Sequence, residues 1–239
     1  MKKIFLINLV TLLSFICIAF SCTEGILQSP INIPKAITFN PNLKYDTVTD
    51  INGNIYRTIS IGEHTWMAEN LRVTKFRNGD VIPYLKNNWQ NGENLGFCVY
   101  DNIINEDSIA KHGILYGYEA YVDKRNIAPL GWHIATAEEW HEVTDDTLKT
   151  YRGADWYTST ENASLSVNNC GLTLLPSGCG RGSDEFYSIN EYFLTFVKGG
   201  ILTIDKQNSF YNYGWGSHYS VLEVEFTNSC FAIRCVKDY

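Results

Sequence analysis

An α+β domain is what the 239-residue sequence predicts, on three observations. Aromatic residues make up 14% of the chain while methionine occurs only twice, a composition of strands and turns rather than of packed helices. Gly171, Gly178, Gly180, Gly182, Gly199, Gly200, Gly214 and Gly216 break the second half into short aromatic runs. Only two segments carry helical spacing, so two helices are set into a β chain with short strands and long loops.

The elements follow in chain order. Lys2 and Lys3 precede an apolar run from Ile4 to Phe20 broken only by Asn8, Thr11 and Ser14. A basic start, an apolar middle and small residues near a cut site make a secretory signal peptide. The run is close to the shortest that spans a bilayer, so a retained anchor is the rival reading. Ala19-Phe20-Ser21-Cys22 resembles a bacterial lipobox, with a bulkier Phe20 than usual. Residues 1–21 are therefore expected to be a lipoprotein signal peptide and Cys22 the acylated first residue. Several acyl chains on one cysteine hold a protein firmly on a membrane. Residues 23–44 carry three of the six prolines and no sustained period, which predicts a lipid-anchored tether over 22–44 and one domain over 45–239.

Within the domain, Thr47 to Ile51 and Asn54 to Ile61 flank Asn52-Gly53, a strong hairpin signal. Asp50, Asn52 and Asn54 resemble a calcium loop, but the glycine falls too early and no bidentate Glu follows, so the turn is expected instead. His112 to Val122 carries Leu115, Tyr118 and Tyr121 at helical spacing. Thr136-Ala137-Glu138-Glu139 is a capping box opening a second helix, with Trp140 and Val143 on its inward face. Residues 221–226 and 231–236 are expected to be closing strands.

Without residues 1–21, which hold two lysines and no acid, the formal charge passes from −7 to −9. A surface that acidic argues against nucleic acid, whose binding needs basic patches. Five cysteines remain beyond Cys17 and Cys22: Cys98, Cys170, Cys179, Cys230 and Cys235. In an exported domain these are disulfide candidates, at most two bridges with one thiol left over. No Cys/His cluster has zinc spacing, so neither a metal nor a cofactor is expected. His141-Glu142-Val143-Thr144-Asp145 lacks the second His of a zincin helix, and no nucleophile elbow, Walker loop or dinucleotide fingerprint occurs. An enzyme is not expected. Tyr100, Asp101, Asn102, Glu106 and Asp107 form an acidic segment, read as a solvated loop rather than a cation site. Phe210, Tyr211, Tyr213, Trp215 and Tyr219 have glycine and serine neighbours, which places them on loops. Tyr211, Tyr213, Trp215 and Tyr219 are the ligand-binding candidates, since flat rings stack on sugars or partner side chains at low entropic cost.

Five ordered blocks carry a family resemblance. Asp50 to Tyr56 with Trp66-Met67-Ala68-Glu69-Asn70-Leu71-Arg72, then Leu115 to Ala120, then Ala128 to Trp140, then Gly171-Leu172 with Leu175-Pro176, then Arg234-Cys235-Val236-Lys237-Asp238 resemble the Fibrobacter succinogenes major paralogous domain family over residues 45–239. The resemblance implies an extracytoplasmic domain, frequent in Gram-negative lipoproteins, without an established activity. The Gly-Trp-His-x-x-Thr-x-x-Glu-Trp block and the Arg-Cys-Val ending also look like those of formylglycine-generating enzymes and C-type-lectin-like folds. A disulfide-stabilised, lectin-like core with paired N- and C-terminal strands is thereby implied. The lectin calcium motifs and the reactive cysteine pair are absent, so neither activity carries over. Cys98 and Cys235 stand where members often have cysteine, whereas Cys170, Cys179 and Cys230 do not. That points to a bridge among the latter three, Cys170 with Cys179 first and either one with Cys230 as the alternative, contributing about 2–3 kcal/mol. Tyr192-Phe193-Leu194-Thr195 replaces the family's usual Trp-Trp-Ser-Ser-Thr block. The resulting expectation is an outer-membrane lipoprotein binding a glycan or a cell-surface protein. A structural envelope lipoprotein is the alternative.

Overall fold

The computed structural model describes residues 37–86, 94–144, 168–182, 185–189, 192–197, 200–204, 210–214 and 228–239. Among them lie three antiparallel sheets and three short helices, an α+β or mostly-β arrangement. Contacts divide the chain into residues 1–32 and 33–239, and the first unit lies outside the described residues.

The expected hairpin is present: β1 (Asp46–Thr49) pairs with β2 (Ile55–Ile61). Its turn is held by the carboxylate of Asp50. One oxygen accepts the backbone amides of Asn52 and Asn54 at 2.8 and 2.9 Å. The other accepts the Asn54 amide group and the Tyr56 hydroxyl. Gly53 takes the left-handed φ of +84° that such a turn needs. The acid that resembled a calcium ligand is thus occupied by its own turn.

From there β2 pairs with β3 (His64–Met67), β3 with β13 (Cys235–Lys237) and β13 with β6 (Trp132–Ile134). Strands from the two ends of the domain meet, with Val236 opposite Trp66. A second sheet runs β4 (Phe97–Cys98), β5 (Leu115–Gly117), β12 (Ser229–Phe231), β7 (Ser177–Arg181), β8 (Glu185–Ile189). A third runs β11 (Phe210–Gly214), β10 (Gly200–Ile204), β9 (Phe193–Val197).

Alternate residues of several strands enter two different apolar clusters. Tyr56, Met67, Leu194, Phe196 and Phe231 lie in one; Ile59, Trp66, Phe193, Val197 and Cys230 lie in the other. A strand with both faces covered reads as a continuous apolar run. Phe193–Val197 is such a strand and is buried throughout.

Two expectations are corrected. The helix predicted over His112 to Val122 is split: α1 (Glu106–His112) ends there, β5 follows, and only α2 (Tyr118–Val122) is helical. Leu115, Tyr118 and Tyr121 keep helical spacing, but Leu115 and Tyr116 are buried on opposite faces of a strand. Pairing with β4 and β12 outweighs the local period. The closing strand predicted over 231–236 breaks at Ala232-Ile233-Arg234, where the chain leaves the second sheet for the first. Residues 221–226 lie outside the described residues. Within the expected tether, Ile37 is buried and Phe39 and Leu43 pack on the second cluster. The capping box is present: α3 (Ala137–Thr144) opens with the Glu139 amide donating to Thr136 Oγ1, while the Glu139 carboxylate accepts from the Thr136 amide and hydroxyl.

Candidate functional site

Among the described residues, a group of titratable side chains gathers where β3, β6, α3 and the end of β13 converge. His133 projects from β6 with Nε2 2.9 Å from Glu139 Oε1 and Nδ1 2.8 Å from Asp238 Oδ1. A neutral imidazole has one N–H, so only the doubly protonated ring donates to both carboxylates at once, and the arrangement favours that form. Burial opposes that charge, but the bonds to Asp238 and Glu139 outweigh it, and the His133 pKa is raised above its ordinary value. His64, on β3, lies 2.9 Å from Glu142 Oε2 and 3.6 Å from Glu139 Oε1, and its ring meets the Tyr239 hydroxyl. Glu139 is the hub: buried, capping α3 with one oxygen and facing both histidines with the other. What this arrangement does chemically is hold a proton at His133 and fasten residues 238–239 to β3, β6 and α3. Among the described residues no three His, Cys, Asp or Glu are placed to hold a metal ion.

A second polar centre lies beneath. Arg234 is fully buried, and its guanidinium donates to Asn70 Oδ1 at 2.6 Å and to the carbonyls of Met67, Leu172 and Thr173 at 2.9 to 3.0 Å. Burial pulls its pKa down to about 9, which leaves it charged at neutral pH. Glu69 is engaged elsewhere, accepting from the Arg57 amide and from Arg72. Carbonyl dipoles from the end of β3 and from a distant loop therefore solvate the Arg234 cation in place of water.

The residues singled out from sequence are scattered. Cys22, Trp215 and Tyr219 lie outside the described residues. Tyr211 and Tyr213 were expected on a loop and instead stand in β11, in register with Thr203 and Ile201 of β10. Strand pairing overrides the glycine neighbours that suggested a loop. Cys98, Cys179, Cys230 and Cys235 are buried and Cys170 partly so, with none at bonding distance of another. Cys179 packs in the first apolar cluster and Cys170 against the second. Burial raises the pKa of Cys170. In the acidic segment Tyr100–Asn102 forms a single 3-10 turn, and Asn105 caps α1 by accepting the Ser108 amide. His141 is exposed on α3 and Asp145 lies outside the described residues.

His64, His133, Asp238, Tyr239 and Arg234 were not singled out as site residues. For four of them no short-range signal exists, because their nearest partners in sequence are 61 or more positions away. His133 and Glu139 did share a visible block, six residues apart.

The family model of the Fibrobacter succinogenes major domain matches residues 59–237, which include β3, β6, α3, β13 and Arg234. No curated protein and no solved structure matches the chain.

Proposed function

We propose, for a chain that belongs to the Fibrobacter succinogenes major domain family, that it is a lipid-anchored lipoprotein of the Gram-negative outer membrane whose domain is a surface binding module. The ligand class is a glycan or a cell-surface protein. Cys22 is the anchor, on the lipobox resemblance and the basic, apolar leader before it. The observation that carries the binding role is the segment from Asp101 to His112. Asp101 and Asn102 hold left-handed backbones at φ 54° and 52°, and Ile103 and Ile104 after them are 62% and 71% exposed. The capped helix α1 that follows buries none of its residues. Adjacent isoleucines presented to water by a shaped turn, on a segment that connects β4 to β5 of one sheet, are what a recognition loop offers a partner.

The finer, lectin-like reading of the core rests on the pairing of β3 with β13, which joins the two ends of the domain. The polar centre around Glu139 and His133 is read as structural, since its groups are directed at one another. No enzymatic activity is proposed.

One set of full-length proteins tests both parts: the native sequence, Cys22→Ala, and Ile103→Ser with Ile104→Ser. Cys22→Ala is expected to leave the membrane fraction, and unchanged fractionation removes the anchor. On a glycan and surface-protein array the native chain is expected to bind and the isoleucine variant to lose at least tenfold. Equal binding by both removes this surface, and a blank array favours the structural envelope protein.

A further inference from the structure

Cys98 on β4 and Cys230 on β12 are thiols that the polar centre does not use. β5 runs between their strands, with Cys98 opposite Leu115 and Cys230 opposite Gly117. On its other side Cys230 faces Gly180 of β7. Cys98, Leu115, Cys230 and Ala232 enter the same apolar cluster, so the two thiols share a face of the sheet.

In a flat sheet two residues separated by an intervening strand stand too far apart to touch. Two features close that gap. Both cross-strand neighbours of Cys230 are glycine, so neither puts a side chain of its own beside the thiol; Asn94 packs over Gly117, and Phe186 and Cys98 lie over Gly180. A β-carbon added at Gly180 would come 3.2 Å from Cys98 Sγ and 3.0 Å from the Phe186 ring, which means Cys98 already reaches across β5 and β12 to β7. The sheet is also curled, because Phe186 on β8, at one edge, meets Tyr100 just beyond β4, at the other, with ring centroids 5.1 Å apart. The result is that the Cys98 and Cys230 thiols are brought together in the sealed interior, both fully buried beside Gly180.

We propose that Cys98 and Cys230 form the disulfide of this domain, fastening β4 to β12 across β5. In the bond-forming step the two thiols give up two protons and two electrons as Sγ–Sγ forms. The electrons reduce the disulfide of an oxidised dithiol donor, whose own S–S bond breaks to two thiols. Burial holds the Cys230 thiol protonated, well above the ordinary thiol range. The thiolate is the attacking species, so exchange proceeds while the sheet is still assembling and is shut off once it has closed. The pairing departs from the Cys170–Cys179 bridge expected from sequence. The oxidant in the cell rests on the export reading above, whereas the pairing does not.

The test is peptide mapping of the full chain, refolded from the reduced, denatured state in a mixture of oxidised and reduced glutathione and alkylated before tryptic digestion. Cys98 falls in tryptic residues 87–111, Cys230 in 207–234, and Cys170 and Cys179 together in 153–181. The expected result is one species joining 87–111 to 207–234, about 2 Da below the summed thiol peptides, that separates on reduction. In Cys98→Ala the Cys230 peptide should become fully alkylated. Should that variant not fold, the native map still decides. Alkylated Cys98 and Cys230, or either of them joined to another cysteine, overturns the proposal. A different map leaves the binding reading standing, and a blank array leaves the disulfide standing.

Discussion

Arg234 illustrates how one residue can join segments that have no sequence relation. Its side chain satisfies carbonyls at 67, 172 and 173 and the side-chain oxygen of Asn70, all in the buried interior. Removing it strands those acceptors without water, so Arg234→Ala is expected to cost about 3–5 kcal/mol in urea unfolding. A loss below about 1 kcal/mol would show that water replaces the guanidinium. Asp50 is the local counterpart. It satisfies two backbone amides and a tyrosine hydroxyl within six residues, and that hydroxyl in turn accepts the Arg72 amide at 3.0 Å. The role of Asp50 was readable as a turn from Asn-Gly and the spacing around it. The role of Arg234 was not, since a buried cation's partners are chosen by the fold.

At the scale of elements, α3 was readable in full because its signals are local. The box at Thr136 and Glu139 and the inward Trp140 and Val143 all lie within eight residues, and Trp140 packs edge-on against Trp66 at 4.8 Å. Thr136→Ala removes the hydroxyl that accepts the Glu139 amide and donates to its carboxylate, at an expected cost of about 1 kcal/mol in thermal unfolding. An unchanged midpoint would mean that Glu139 alone caps the helix. β5 and β11 show the opposite case. Both look locally like something else, a helix and a loop, and both become strands because a neighbour supplies hydrogen bonds in register. Propensity is a weak prior where a paired edge is on offer.

Across the whole molecule, blocks far apart in sequence form a single structural unit. Trp66 to Arg72, Trp132 to Trp140 and Arg234 to Asp238 become β3, β6 with α3, and β13, laid side by side. His133 locks that unit at its polar end, and its raised pKa gives the lock a pH sense. The folded state holds the proton more tightly than the unfolded chain, whose His titrates near 6.5. The stabilisation is therefore fully present below about pH 6.5 and is lost as pH rises through the raised folded value. Thermal midpoints of the native chain should fall, relative to His133→Gln, as pH climbs from about 6 to 9. Parallel profiles for the two proteins would exclude the imidazolium.

The hairpin, the capped helix with its inward Trp140 and the family were determined by the sequence alone, since each is written in residues a few positions apart or in blocks of fixed order. Only the tertiary structure decided that β5 and β11 are strands, that Arg234 is solvated by carbonyls, that His64 and His133 share Glu139, and that the Cys98 and Cys230 thiols share one buried face. Each of these depends on contacts between residues far apart in the chain, and contacts of that kind are set by sheet register, curl and burial rather than by local preference.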